Sequence, residues 1–375
     1  MRHPLQRRRL LAAAAATVAL PRLARAAGEP IVVGQVAPFT GIPAQDAPEL
    51  NRGIHAAVAQ INAAGGIAGR PLEFFELDDG YDANTFVRQF GEAMKRRPVA
   101  LLAPVGSRAI QRLLDDRLLD AHDTVVLDAV PGAESLRNPG HPRLFHVRAS
   151  DQQQVECIFR HARTMGVARM AVLQQDAPIG VSGLAAARKV ADALGTTLVV
   201  VPTAGDAPRL ADAAARAAAS VPQSTLVLGA PRFVAEAIAA LRAAGETKFV
   251  YALGYVSPAQ VAKLGPAGRG VALSQVCPDP NGATSALQHA FQSAMQRSGV
   301  AGPYSTFHFE GYITTRVLAD GLRHARTLDP AGLAAALRTM GELDFGAFRV
   351  NFAHGNAGSS FVDIAMVDAN GHLVY

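Results

Sequence analysis

Short apolar segments alternate along the chain with longer segments in which apolar residues recur every three or four positions. The short segments are typical of buried strands: IVVGQVA, LEFFELDD, VALLAPV, TVVLDAV, ARMAVLQQ, TLVVVPTA, TLVLGA, KFVYALG and GVALSQV. Helical periodicity fills most of the intervals, as over residues 51–63 and 181–194. Strands that alternate with helices of about ten to fifteen residues form parallel sheets with helices on both faces. The rhythm restarts after residues 144–150, so the pattern predicts an α/β fold with two doubly wound parallel-sheet lobes.

The first 26 residues have the pattern of an export leader. Arginines precede a run of mainly Ala and Leu over residues 10–20, and this run is shorter than the roughly 20 residues that a membrane-spanning helix needs. Ala24 and Ala26 are the small residues that a signal peptidase reads, so we expect cleavage before Ala27. Arg7-Arg8-Arg9-Leu10-Leu11 also looks like a twin-arginine signal, and a general secretory leader is the alternative. We therefore expect a mature chain that is soluble in the periplasm.

Removal of this leader would change the net charge and the length of the chain. Residues 1–26 contain six Arg and no acids, so the formal charge of +5 becomes 5 − 6 = −1. The basic character belongs largely to the leader, and we expect no nucleic-acid partner. About 349 mature residues remain, which is more than one hydrophobic core usually serves. Two domains are therefore predicted.

The chain lacks the residue patterns of an enzyme or a metal site. No GxSxG, HExxH, CxxC or Walker loop occurs, and the eleven His are scattered. We therefore expect no catalysis, no metal and no cofactor. Cys157 and Cys277 are the two cysteines; an exported protein permits a disulfide between them, and two free buried thiols are the alternative.

Five segments carry a family resemblance. In chain order they are PFTG, INAAGGIAGRPLE, LLAPVGS, SLRNPGHPRLFHVRASDQQQ and GYITTRVLADGL. With them the mature chain resembles, over essentially its whole length, the type I periplasmic substrate-binding proteins, the branched-chain amino-acid (Leu/Ile/Val) receptor family of ABC importers. The resemblance implies an exported, monomeric receptor. It would close two lobes on a small polar ligand, an amino acid or another carboxylate or amide, and deliver it to ABC permease subunits.

The resemblance also implies how the chain divides. A first lobe would comprise residues 27–147 and 278–343, and a second would comprise residues 148–277 and 344–375. The long helix predicted over residues 302–325 would return to the first lobe, and the crossings near residues 147–150, 276–280 and 343–346 would form a hinge. Arg148 and Asp151 lie at the first crossing, and we interpret them as hinge structure.

A sensory role is the alternative function. A periplasmic ligand-sensing module would present its occupied state to a membrane sensor or regulator. Neighbouring permease and ATPase genes would favour import, whereas a neighbouring sensor-kinase gene would favour signalling.

In open α/β sheets, ligands bind beyond the carboxyl ends of the strands. Val105, Gly106 and Ser107 follow one such strand, where Gly106 permits close backbone approach and Ser107 offers a hydroxyl. The resemblance implies that they hold the ligand's carboxylate. The alternative for Ser107 is that it caps its own helix.

A second loop that the resemblance assigns to the carboxylate follows the next strand. It consists of Ala129, Val130, Pro131 and Gly132. Family members often have Thr at the position of Gly132, so one hydroxyl is missing, and Pro131 lacks a backbone donor. The alternative is an ordinary turn.

Gln45 and Asp46 follow PFTG in the first loop, where family members line the pocket and many have an aromatic residue in place of Asp46. Asp46 would pair with a ligand amine; the alternatives are that it caps the following helix or faces solvent.

The second lobe departs from the amino-acid receptor pattern. Ile179 stands where the family has a Tyr that packs over the ligand, while Gly229, Ala230 and Tyr255 end later strands. No Asp or Glu occurs over residues 250–275, although amino-acid receptors commonly place an acid there for the α-ammonium group. A buried charge without a partner is unfavourable. Either Asp46 takes over that role or the ligand has no α-ammonium group.

Overall fold

The computed structural model describes residues 28–41, 46–370 and 372–375. The predicted leader and Gln45 lie outside the described residues. Within the described ranges, no helix combines the length and the apolar composition that crossing a membrane requires.

The first sheet is entirely parallel and has the strand order β2-β1-β3-β4-β5. Its strands are β1 (Ile31–Ala37), β2 (Leu72–Asp78), β3 (Ala100–Leu102), β4 (Val125–Leu127) and β5 (Leu144–Phe145). The helices between them are α1 (Asp46–Ala63), α2 (Ala83–Lys95), α3 (Ser107–Asp115) and α4 (Leu118–Ala121). β1, β3 and β4 are almost wholly buried, as expected for strands covered on both faces.

The second sheet has a parallel core. Its strands are β6 (Arg169–Gln175), β7 (Thr197–Thr203), β8 (Ser224–Leu228), β9 (Val250–Ala252) and β10 (Val271–Gln275), and its helices are α5 (Asp151–Thr164), α6 (Pro178–Leu194), α7 (Ala207–Ala219), α8 (Pro231–Ala243) and α9 (Pro258–Ala262). Together with the first sheet, this half confirms the predicted α/β fold with two doubly wound lobes.

After the second run of strands, the chain forms three helices and four short strands. They are α10 (Ala286–Arg297), α11 (Thr306–His324), α12 (Pro330–Thr339), β11 (Leu343–Asp344), β12 (Arg349–Val350), β13 (Asp363–Val367) and β14 (Leu373–Val374). Helix α11 packs on α1, whereas β13 and β14 add antiparallel strands to the second sheet, beside β10. The lobe boundaries at residues 147, 277 and 343 stay a prediction.

Helix α11 is shorter than the predicted helix over residues 302–325. Ser305 accepts a hydrogen bond from the backbone N–H of His308 and fixes the N-terminus at Thr306. Pro303, which precedes this cap, lies outside the helix.

Both cysteines are free thiols. Cys277 is fully buried, and burial raises the pKa of its thiol well above the ordinary value. The structure therefore has free thiols and not the disulfide, with Cys277 buried as expected and Cys157 only partly buried.

Helices α1 and α11 meet through glycines. A Cβ atom on Gly53 would collide with the carbonyl oxygen of His308, and one on Gly311 would collide with the carbonyl oxygen of Leu50. The two backbones therefore lie in direct contact, and this contact holds α11 against the first sheet.

Replacing Gly311 by Ala should lower the free energy of unfolding by about 1–3 kcal/mol, because the extra methyl group overpacks this contact. Gly91 lies in α2 with nothing within 4 Å of an added Cβ, so Gly91→Ala should be neutral or stabilising by roughly 0.5–1 kcal/mol. Urea unfolding of both variants measures the difference. Equal effects would contradict the direct backbone contact.

Candidate functional site

A cleft lies between the two sheets and has two adjoining compartments. The first compartment is lined by Pro38, Asp46, Tyr81, Val105, Gly106, Ser107, Val130, Pro131, Gly132, Asp151, Ile179, Pro231 and Tyr255. The second compartment is lined by Asp79, Tyr81, Ala83, Val105, Gly106, Ser107, Arg108, Ala109, Gln175, Ala177, Pro178, Ile179 and Ala230. They contain about 540 and 810 Å³ of empty space, open solvent at their mouths included.

The N-terminus of α3 opens into both compartments. Gly106 is its N-cap residue with a φ of 109°, and no side chain caps the helix. Ser107 is therefore the first residue of the helix, which removes the alternative that it serves as the cap. The first N–H groups of a helix have no partner within it, and the end carries partial positive charge. This edge of the cleft therefore favours an anion.

The hydroxyl group of Tyr255 joins the two sides of the cleft. It accepts a hydrogen bond from the backbone N–H of Gly132 at 2.9 Å and donates one to Oδ1 of Asp151 at 2.5 Å. A Cβ atom on Gly132 would lie 2.6 Å from this hydroxyl oxygen and would also collide with Asp151. Glycine is thus required at position 132, where the family often has Thr, because Tyr255 occupies the space of a side chain.

Arg148 lies behind Tyr255. It is 1% exposed, and its guanidinium carbon lies 4.8 Å from the centre of the Tyr255 ring. Its Nη1 atom contacts both carboxylate oxygens of Glu310, at 3.0 and 3.3 Å. Burial raises the pKa of Glu310 to about 7, against the opposing effect of the Arg148 charge. The buried guanidinium group of Arg148 packs against the face of the Tyr255 ring and holds the ring in place.

Among the described residues, the wall of the first compartment contains two carboxyl groups, Asp46 and Asp151, and neither Lys nor Arg. Burial raises the pKa of both acids. Asp46 is the first residue of α1 and accepts a hydrogen bond from the N–H of Ala47. It also lines the cleft, where the sequence left solvent exposure as an alternative.

Asp151 was interpreted from the sequence as hinge structure, and the structure places it in the cleft as well. Ser150 caps α5 in a capping box with Gln153, so the Asp151 side chain is not needed as a cap. The sequence Ser-Asp-Gln-Gln already indicates this arrangement. A Ser followed three residues later by Gln forms a capping box, which identifies Ser150 and not Asp151 as the N-cap residue.

The structure brings most of the predicted site residues together. Those that line the first compartment are Asp46, Val105, Gly106, Ser107, Val130, Pro131, Gly132, Ile179 and Tyr255. Ala230 lines the second compartment. Ala129 and Gly229 line neither: Ala129 is fully buried, and the space beside the Gly229 Cα is filled by Phe233 and Gln175.

Tyr81 is the main residue that sequence reasoning missed. It lines both compartments, and its ring lies 3.6 Å from the position of a Cβ on Gly106. Its backbone adopts a φ of 62°, which is rare for a bulky residue, and its N–H donates to Oδ1 of Asp79 at 2.8 Å. The rule that ligands bind beyond the carboxyl ends of the strands identifies Tyr81 when the rule is applied to β2 as well as to β3 and β4.

Among the described residues, no group of three His, Cys, Asp or Glu side chains is arranged to hold a metal ion. The cleft offers a helix N-terminus, carboxyl groups and aromatic faces, which are the components of an organic ligand site.

Comparisons with known proteins agree on one family. The family model described as "Periplasmic binding protein" matches residues 30–372. The extracellular ligand-binding receptor from Verminephrobacter eiseniae is 45% identical, over 92% of this chain and 100% of its own, with a TM-score of 0.89. The comparison with curated proteins returned no match.

Two more distant structures share the fold. The leucine-binding protein from Thermotoga maritima is 17% identical, over 92% of this chain and 97% of its own, with a TM-score of 0.81. The fatty acid ABC transporter substrate-binding protein from Thermomonospora curvata is 18% identical, over 92% and 91%, with a TM-score of 0.80.

Replacing Tyr255 by Phe should lower the free energy of unfolding by about 1–3 kcal/mol, because it leaves the Gly132 N–H and the Asp151 carboxyl without their partner. Tyr251 is a matched control, since its hydroxyl contacts only the partly buried His161, at 3.0 Å. Urea unfolding should show a larger loss for Tyr255→Phe than for Tyr251→Phe. A smaller or equal loss would contradict the role of Tyr255 as the link across the cleft.

Proposed function

Because the chain belongs to the periplasmic binding protein family, we propose that it is an exported receptor that closes two lobes on a small carboxylate ligand and delivers it to an ABC importer. The ligand we favour is an α-amino acid or a close relative that carries both a carboxylate and a hydrogen-bond donor. In this proposal the protein acts in the periplasm, as a monomer and without catalysis, and its macromolecular partner is the permease in the membrane.

The observation that carries this proposal is the N-terminus of α3 at the cleft. The N–H groups of Ser107, Arg108 and Ala109 precede the first backbone bond of the helix, which Ile110 donates to Gly106. Ser107 lines both compartments, whereas Arg108 and Ala109 line the second. A ligand carboxylate at this end gains hydrogen bonds and the favourable end of the helix dipole.

The two acids of the first compartment support a donor group on the same ligand. Asp46 and Asp151 place carboxyl groups on the wall that α3 shares. A zwitterion complements both features, with its carboxylate at α3 and its ammonium at the acids. The absence of an acid from residues 250–275 is therefore compatible with an amino acid, because these two side chains take over that role.

The arrangement of the walls supports lobe closure. Ser107 and Gly132 follow strands of the first sheet, whereas Ile179 and Pro231 begin α6 and α8 beside the second sheet. A ligand held at α3 touches Ile179 and Pro231 only when the lobes are close together. Its extra contacts in that state would shift the population toward closure, with residues 147–150, 276–280 and 343–346 as the hinge.

The names of two related structures are consistent with a carboxylate. One is a leucine-binding protein, and the other is a fatty acid ABC transporter substrate-binding protein. Leucine and fatty acids share a carboxylate and an aliphatic chain, and they differ in the α-amino group and in the length and branching of the chain. We therefore place the shared group at α3 and assign selectivity to the rest of the cleft.

A thermal-shift screen of amino acids, aliphatic and aromatic carboxylates and amides tests the proposal. A ligand at 100 times its dissociation constant should stabilise the protein by about 2.7 kcal/mol. Absence of any shift across the panel would contradict the receptor function.

Replacing Ser107 by Ala should then weaken binding of the best ligand by about 10- to 100-fold, because a hydrogen bond to a charged group contributes roughly 1.5–3 kcal/mol. Ser182 lies on α6 outside both compartments, so Ser182→Ala should bind like the wild type. Isothermal titration measures both. An unchanged affinity for Ser107→Ala would remove this hydroxyl from the site.

A further inference from the structure

We propose that the second compartment holds the far end of the ligand and that Asp79 accepts a hydrogen bond from a donor group there. The ligand would then be a small carboxylate whose chain ends in an ammonium, amide or hydroxyl group, instead of a purely apolar chain. This inference rests on the proposed function, because it takes the carboxylate to lie at the N-terminus of α3.

The first observation is an unpartnered carboxylate oxygen. Asp79 is 1% exposed, and its Oδ1 atom accepts the N–H of Tyr81. Its Oδ2 atom is buried and has no hydrogen-bond partner in the described part of the chain. Burial of a polar atom without a partner costs free energy, and native proteins rarely leave one.

The neighbouring acids of the same loop do not share this property. Asp78 accepts hydrogen bonds from the backbone N–H groups of Phe39, Thr40 and Gly80. Asp82 caps α2 and accepts a hydrogen bond from the N–H of Thr85. The loop is therefore built and capped by Asp78 and Asp82. Asp79 contributes one bond to the Tyr81 turn, and its second carboxylate oxygen is unpartnered in a residue that lines the second compartment.

The shape of the cleft is the second observation. The two compartments share the start of α3, the ring of Tyr81 and the side chain of Ile179. A ligand whose carboxylate lies at α3 can therefore extend from the first compartment into the second. At position 179 the receptor pattern has Tyr, so the Ile of this chain leaves space where a larger ring would stand.

The chemistry of the second compartment favours a donor at the end of that chain. Its walls from the second lobe are largely apolar, with Ala177, Pro178 and Ala230, and Arg108 is the cation among its lining residues. Burial, together with the charges of Asp78 and Asp82, raises the pKa of Asp79 to about 6, against the opposing effect of the hydrogen bond from the Tyr81 N–H. Near neutral pH the group is a carboxylate that a ligand donor would satisfy.

A purely structural role predicts different behaviour on substitution. If Asp79 serves only the turn, its Oδ1 bond to Tyr81 is all that matters, and Asn reproduces that bond and tolerates the same local geometry. Asp79→Asn therefore preserves the turn while it replaces the free carboxylate oxygen by an amide. Asp82→Asn is the matched control, because Asn is also a good N-cap and Asp82 lines neither compartment.

Three amino acids of equal length test the proposal: norleucine, ornithine and 5-hydroxynorvaline, which end in a methyl, an ammonium and a hydroxyl group. Hexanoate, 5-aminopentanoate and 5-hydroxypentanoate form the same series without the α-amino group. Isothermal titration at pH 7.5 should show that a donor-ended member binds the wild type at least about 10-fold more tightly than its methyl-ended isostere. This preference should vanish in Asp79→Asn and persist in Asp82→Asn.

Several outcomes would overturn the inference. They are a preference for the methyl-ended probes, a donor preference that survives in Asp79→Asn, and no binding of either series while other ligands of the screening panel bind. A protein that binds nothing in the whole panel would instead contradict the proposed function itself.

Two further measurements supplement the ligand series, and the first of them uses a variant other than Asp79→Asn. Ala230→Leu narrows the second compartment and leaves Asp79 unchanged. It should weaken binding of the donor-ended probes at least about 10-fold. The affinity for alanine and serine should stay the same. Equal weakening of all ligands would overturn the division into two compartments.

The pH dependence of stability supplies the other measurement. Because the folded-state pKa of Asp79 lies above the ordinary value of about 4, the wild type loses stability from this group as the pH rises from about 4 to 6. Asp79→Asn without ligand should unfold like the wild type near pH 4 and be more stable than it at pH 7. A variant that is less stable at pH 7 would show a structural need for the carboxylate and would overturn the proposal.

Discussion

The buried charge of Arg148 is the constraint around which the two lobes are organised. The segment that crosses from β5 to α5 is held on several sides: Oδ1 of Asp128 accepts the N–H groups of Val147 and Arg148, Glu310 on α11 pairs with the guanidinium group, and Arg137 donates to the carbonyl oxygen of Arg148. An isolated buried cation would be strongly unfavourable. Because its partners come from the first sheet and from α11, the start of α5 is fixed relative to both.

That constraint positions the cleft. Once the crossing segment is fixed, Asp151 at the first turn of α5 lies where the hydroxyl group of Tyr255 reaches it, and the same hydroxyl meets the N–H of Gly132. The carbonyl oxygen of Gly132 in turn accepts the N–H of Asp151. Gly132 and Tyr255 are therefore coupled, because the absence of a side chain at position 132 leaves room for the hydroxyl group of Tyr255.

The sequence was sufficient for the architecture because its signals are local. The change between short apolar runs and helical periodicity locates strands and helices, and the ends of β3 and β4 locate the loops at Ser107 and Gly132. The signals that failed are those that depend on distant partners or on cap geometry. Gly106, not Ser107, caps α3, and α11 begins at Thr306 because of Ser305. The capping box of Ser150 and Gln153 and the end of β2 are local signals for Asp151 and Tyr81. The bonds of Tyr255 to Gly132 and Asp151 instead join segments far apart in sequence, which periodicity does not encode.

The fold of the family accounts for one part of the site, and the particular side chains of this chain account for the rest. A helix N-terminus at a strand end follows from the fold and suits any carboxylate, so it does not select one ligand. Selectivity depends on the side chains that vary around it. Here the aromatic face that the pattern places at Ile179 is absent, while the ring of Tyr81 enters from the opposite lobe, beside the buried carboxyl group of Asp79. With Ile at position 179 and Tyr at position 81, an aromatic ring still lines the cleft, and it comes from the end of β2. In the proposal above, a cleft of this kind binds a longer ligand with a polar end in preference to one with a compact branched chain.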